Sequence, residues 1–178
     1  MKKDYKQVIP ARFQDVSYKD DVLDSIKELS VKQIREGNGL YIYGGPGVGK
    51  THTICAIAKN VILNGIDIRF FNTSNLLEKL REEFNKPIDA DQDSVGILRD
   101  IMDFDGVLFL DDIGAEKESE WTRERLYLII NKKYEDCRPI IFTSNCDMEI
   151  LSARLGDRIT SRIKGMSKII ELEGRDLR

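Results

Sequence analysis

The chain has 178 residues, 41% of them apolar and 33% charged, with a formal net charge of −3. That length suits one α/β domain with a sizeable core, and no apolar run approaches the length of a membrane span. The slight acid excess argues against a protein that coats nucleic acid through bulk charge, while leaving a local basic track open.

Residues 1–18 read as a polar, extended arm and 19–178 as the folded domain; Ile9-Pro10-Ala11-Arg12-Phe13 stands out within the arm. The N-terminal lysines are followed by no apolar stretch of the kind a secretory signal needs. Apolar residues at 22, 23, 26, 29 and 34 predict a helix over 20–36, ended by Gly37-Asn38-Gly39. Gly39 to Tyr43 is a short apolar run, as a buried strand should be. Gly44-Gly45-Pro46-Gly47-Val48-Gly49-Lys50-Thr51 follows and fits GxxxxGK[ST], the phosphate-binding loop of nucleoside triphosphatases. Thr53 to Leu63 then carries a helical apolar face. Ile66 to Phe71 reads as a second strand. Asn72-Thr73-Ser74 offers a cap to a helix with Leu76, Leu77, Leu80 and Phe84 on one face. A loop over 85–93 and a short helix over 94–102 lead to Gly106–Leu110, a buried-strand run ending in Asp111-Asp112. After a charged connection, Trp121 to Tyr134 forms a long helix with Leu126, Ile129 and Ile130 inward. Residues 139–142 are a strand ending in Thr143-Ser144-Asn145, 147–155 and 158–164 are short helices, and 167–172 is the last strand. Strands that alternate with helices and are apolar nearly throughout imply a parallel sheet covered on both faces.

Three stretches carry chemistry. In the glycine loop, successive backbone N–H groups curl into an anion nest, and the following helix adds its N-terminal dipole. Lys50 is expected to reach the β- and γ-phosphates of ATP, and the Thr51 hydroxyl to ligate Mg²⁺. Val107-Leu108-Phe109-Leu110-Asp111-Asp112 has the shape of a Walker B strand, which delivers carboxylates to the sheet's carboxyl edge. Asp111 would hold Mg²⁺, and Asp112 would orient the attacking water and accept its proton. Asn145, at the end of a neighbouring strand, would hold that water from the other side. Arg154, Arg158 and Arg162, spaced four apart, fall on roughly one helical face. One of them, presented to a neighbouring subunit, would stabilise transition-state charge. The three cysteines (Cys55, Cys137 and Cys146) make no metal pattern with the single histidine, so reduced, mostly buried thiols in a cytoplasmic protein are expected. His52 reads as a helix-face residue rather than a ligand or base. Lys79, Arg81 and Lys86 are candidates for a DNA-contacting surface, against a plain solvated face.

With these residues in view, the chain resembles the ATPase domain of the DnaC/DnaI helicase loaders and the related IstB transposition helpers, in the AAA+ superfamily. The stretches that carry the resemblance are IPARF (9–13), YGGPGVGKTH (43–52), LFLDDIGAEK (108–117), WTRERLYLIINKKYE (121–135), IIFTSN (140–145) and RLGDRITSRIKGM (154–166). It implies a three-layer AAA+ P-loop NTPase domain with a five-stranded parallel sheet and little or no C-terminal helical lid. It implies that Gly44 to Thr51, with His52 beside them, bind ATP, that Asn145 is sensor I, and that Arg162 is the arginine finger, with Arg158 as second choice. It also implies a sensor II arginine at Arg178, with Arg175 as rival, and a flank to the adenine from Arg12 and Phe13. The expected partners are single-stranded DNA, a replicative helicase and further copies of the chain docked through Arg162, with no membrane. The resemblance leaves loader and transposition helper both open, while a small-molecule kinase is disfavoured because no acceptor site or mobile lid is seen. Loaders of this family carry an N-terminal domain that grips the helicase. Only eight residues precede Ile9 here, so either an excised domain or a short relative is expected.

Overall fold

The computed structural model describes residues 8–14, 31–85 and 96–173. Five strands, β1 (Gly39–Tyr43), β2 (Ile68–Asn72), β3 (Val107–Asp111), β4 (Ile140–Ser144) and β5 (Ser167–Glu171), form one sheet in the order β2-β3-β4-β1-β5. All four pairings are parallel, with Leu40 opposite Ile141, Phe109 opposite Ile141 and Phe70 opposite Phe109 fixing the register.

Successive strand residues point to opposite faces, and here each face meets its own core. Tyr41, Leu108, Leu110, Ile140 and Phe142 face one side. They pack there against α2 (Thr73–Phe84), α3 (Ile97–Asp103), α4 (Glu120–Glu135), α5 (Met148–Leu155) and α6 (Asp157–Met166). Leu40, Ile42, Phe109 and Ile141 face the other side, covered by α1 (Lys50–Leu63) together with Ile9 and Ile34. Each fully buried Leu, Ile or Phe contributes roughly 1.5–3 kcal/mol relative to exposure, so the double-sided strands are the main source of cohesion.

Local signals set the helix starts. Asn72, Ser119 and Asp147 cap α2, α4 and α5, their side chains accepting from Asn75 N, Thr122 N, and Glu149 N with Ile150 N. Strand ends differ from the sequence reading by one or two residues: β2 starts at Ile68, and β3 and β4 run on through Asp111 and Ser144. The backbone ladder ignores side-chain polarity, so it extends past the last apolar residue. The short helix expected over 94–102 is Ile97–Asp103. Arg154, Arg158 and Arg162 do not share one helix. Gly156, at φ 93°, breaks the chain between α5, which holds Arg154, and α6, which holds the other two. The arm is not wholly extended either. Ala11–Phe13 make a 3₁₀ turn, and Ile9 is buried against the α1 side of the sheet. Cys55 and Cys146 are buried and Cys137 is exposed.

Candidate functional site

The site lies at the carboxyl edge of the sheet, where β1, β3 and β4 end side by side. Because β4 lies between β1 and β3, its last residues emerge between the glycine loop and the acid pair.

Gly44 leaves β1 so close to the chain that follows β5 that a Cβ would lie 2.3 Å from Leu172 O. Gly49 has φ 92°, a left-handed conformation that glycine adopts without strain, and it turns the loop into α1. No side chain caps α1, so its first N–H groups remain directed at the loop. Lys50 is 8% exposed, and its Nζ donates to Gly44 O at 2.9 Å and Gly45 O at 2.6 Å. The ammonium therefore lies inside the curve of the loop, where a phosphate would meet it. His52 is half-buried on the first turn of α1.

The Thr51 hydroxyl lies 3.3 and 3.2 Å from the two carboxylate oxygens of Asp111. Asp111 is 7% exposed, and burial raises its pKa, opposed by hydrogen bonds from Thr143 and Thr51 and by the charge of Lys50. A desolvated carboxylate paired with a hydroxyl is a hard-oxygen set that fits Mg²⁺, which commonly takes one or two protein ligands and fills the rest with phosphate oxygens and water. No cluster of three or more His, Cys, Asp or Glu that could hold a metal occurs among the described residues.

Asp112 sits at φ 61°, an uncommon conformation for a residue other than glycine. Its Oδ1 accepts from Asn145 Nδ2 at 2.9 Å, which brings the two expected water-holding groups together. Thr143, which the sequence reading assigned no role, ties the pair of acids. Its Oγ1 donates to Asp111 Oδ1 at 2.5 Å and accepts from Asp112 N at 2.9 Å. Thr73 Oγ1 donates to Asp111 O at 2.9 Å and so fixes the end of β3 from the start of α2. A threonine directly after the apolar run Ile140–Phe142, in a strand buried along its whole length, was the available signal for Thr143.

Arg162 lies away from this cluster. Its Nε donates to Asn131 Oδ1 at 3.1 Å, and its guanidinium is 5.8 Å from the Tyr127 ring centre and 5.9 Å from that of Tyr134, all on α4. Arg158 is exposed. Arg154 joins α5 to the loop after Asp112, donating to Gly114 O and lying 3.6 Å from Glu118. Arg12 lies 6.0 Å from the ring centre of Phe13, and their turn packs on the flank of α1, where Lys59 Nζ donates to Gln14 O. Lys79 and Arg81 are exposed on α2, with Arg81 placed 4.8 Å from the Trp121 ring centre. Lys86, Arg175 and Arg178 lie outside the described residues. Among the described residues no helix is long and apolar enough to cross a membrane.

Comparison with known proteins places this geometry. The family described as IstB-like ATP binding protein matches residues 9–178. The replicative helicase loader DnaC of Escherichia coli K12 is 25% identical over 125 residues, which are 70% of this chain and 49% of that protein. The chain thus spans about half the length of the curated relatives it matches. The crystal structure of the DnaC helicase loader superposes with a TM-score of 0.73 at 28% identity, covering 89% of this chain and 95% of that one. That of DnaI gives 0.71 at 27% identity, covering 97% and 93%. The replication initiator DnaA bound to AMPPCP and single-stranded DNA gives 0.74 at 20% identity, covering 94% of this chain and 51% of that one; this likeness concerns the fold alone.

Proposed function

The chain belongs to the family of IstB-like ATP-binding proteins and carries a DnaC-type AAA+ ATPase domain, and from that premise we propose that it is a cytoplasmic, helicase-loader-type replication factor. It binds and hydrolyses ATP-Mg²⁺ to control its assembly on single-stranded DNA and its contact with a replicative helicase. The observation that carries the hydrolytic part is the contact of Asn145 Nδ2 with Asp112 Oδ1 at 2.9 Å, beside the Thr51–Asp111 pair. That constellation suits an attacking water held by Asn145 and Asp112, with Asp112 accepting its proton. Gly44 to Gly49 and Lys50 cradle the phosphates, while Thr51 and Asp111 hold Mg²⁺, whose contribution is to offset phosphate charge. Arg162 of one copy completes the site of its neighbour. Arg12 and Phe13 flank the adenine from the arm, and Arg178 serves as sensor II. The domain extends over 19–178, with 1–18 as its arm.

The partner part rests on the DnaC and DnaI likeness, and single-stranded DNA binding is its first test. Fluorescence anisotropy of a labelled oligonucleotide is measured with ATP, with ADP and with neither, at two salt concentrations. Binding is expected only with ATP, weaker at higher salt and lost in Lys50→Ala. Binding that ignores nucleotide, or none in any state, contradicts the proposal. Pull-down with a replicative helicase, set against a transposase of the IS21 type, then separates loader from transposition helper.

A further inference from the structure

Arg162 is tethered at one end of its guanidinium and unpaired at the other. Its Nε donates to Asn131 Oδ1 at 3.1 Å, between the rings of Tyr127 and Tyr134 at 5.8 and 5.9 Å. Tyr127, Asn131 and Tyr134 are spaced four and three apart on α4, so they share one face of that helix. Asn131 Nδ2 donates to Glu135 Oε1 at 2.9 Å, which turns the amide so that its oxygen meets Arg162. Gly165, on α6 with Arg162, makes room for Tyr134: a Cβ there would lie 3.0 Å from the ring.

The terminal nitrogens of Arg162, Nη1 and Nη2, make no hydrogen bond among the described residues, and neither is buried. Arg162 enters no ion pair there either, whereas Arg123 and Arg154 each lie against Glu118 and Arg125 pairs with Glu124. A neutral amide and two rings thus hold the guanidinium without cancelling its charge. Aromatic faces attract a cation while leaving its N–H donors free. The end left open carries the two nitrogens that meet phosphate oxygens as a fork.

We propose that Tyr127, Asn131 and Tyr134 are positioning residues that pre-orient Arg162 towards the γ-phosphate of ATP in a neighbouring copy. The proposal rests on the reading of Arg162 as the finger. A freely turning arginine loses rotamer freedom when it meets the phosphate. One already fixed at Nε and flanked by rings loses less, and stabilises transition-state charge without reorganising.

ATPase activity of the full chain across a range of protein concentrations, beside fluorescent-ATP affinity, tests this. Arg162→Ala sets the size of the finger-dependent activity. Asn131→Ala and Tyr134→Ala are each expected to lower that activity about tenfold, within the roughly 100-fold that a misplacement of about 1 Å can cost, with ATP affinity unchanged. Tyr134→Phe keeps the ring and should keep the activity. In an Arg162→Ala background neither alanine substitution should lower turnover further, whereas a general loss of packing would. The two positions are varied separately, so the test survives if one variant misfolds. If Arg162→Ala leaves the concentration-dependent activity intact, the finger reading falls and this proposal with it. If Arg162→Ala removes that activity while Asn131→Ala and Tyr134→Ala both retain it, the positioning role alone is overturned. A further loss in the double variants overturns it as well.

Discussion

Thr143 is the residue on which the acid pair turns. It has one hydroxyl proton, given to Asp111, and one accepting contact, from the Asp112 amide. That single atom therefore orients the candidate metal ligand and helps hold the uncommon backbone of the candidate base. Partners that orient a metal ligand typically matter by about 10–100-fold. Thr143→Val keeps the side-chain shape and removes the hydroxyl. Turnover is expected to fall by about that factor while fluorescent-ATP affinity stays the same, and Thr143→Ser should restore most of it. Unchanged turnover in the valine variant, or equal loss in both, refutes the role. At this scale the sequence was legible wherever chemistry is local. The glycine loop, Asp111, Asp112 and Asn145 stand in recognisable runs. Thr143 was not legible because its partners lie 32 and 31 residues away and only the β3–β4 pairing joins them.

The helices show the same division. Their apolar faces were readable: Leu126, Ile129 and Ile130 of α4 are all fully buried. Lys133, in the last turn of the same helix, is also fully buried, where a solvated lysine would be the ordinary expectation. Its Nζ donates to Phe104 O at the end of α3, joined there by Arg138, and the Phe104 ring takes Arg69 at 4.7 Å and Lys133 at 5.5 Å. Cations at a helix C-terminus complement its dipole, so this cluster fastens α3 to α4. Burial lowers the Lys133 pKa to about 8. Between that value and the roughly 10.4 of a free lysine, the unfolded chain binds more protons than the folded one, so stability from this group rises with pH. Below about 8 the charged group carries its full burial penalty. In urea unfolding at pH 7, 8.5 and 10, the stability of the wild type relative to Lys133→Met should increase with pH, on the order of 1–3 kcal/mol across the range. A flat difference contradicts a buried, titrating Lys133. The break at Gly156 escaped periodicity because the arginine spacing of four continues across it, and only the backbone angle separates α5 from α6.

For the molecule as a whole, the sheet order gathers the candidate ATPase site at one edge, and Arg162, the proposed finger, stands apart from it. The loop, Asp111, Asp112 and Asn145 converge at the carboxyl edge, whereas Arg162 is held on α4 by Asn131 and two tyrosine rings. The three-layer parallel architecture was legible because both faces of every central strand are apolar. The separation of Arg162 from the acids was not, since spacing along the chain carries no record of which helix packs where. The central claim, that a neighbouring copy completes the site, is tested most directly by specific ATPase activity as a function of protein concentration, in the wild type and in Arg162→Ala. Activity per chain should rise with concentration in the wild type. In the variant it should stay at the low monomer level, with ATP affinity unchanged, and arginine fingers are worth about 10³–10⁵ in rate when engaged. A variant whose activity rises as the wild type's does would show that Arg162 is not the group supplied by the neighbour.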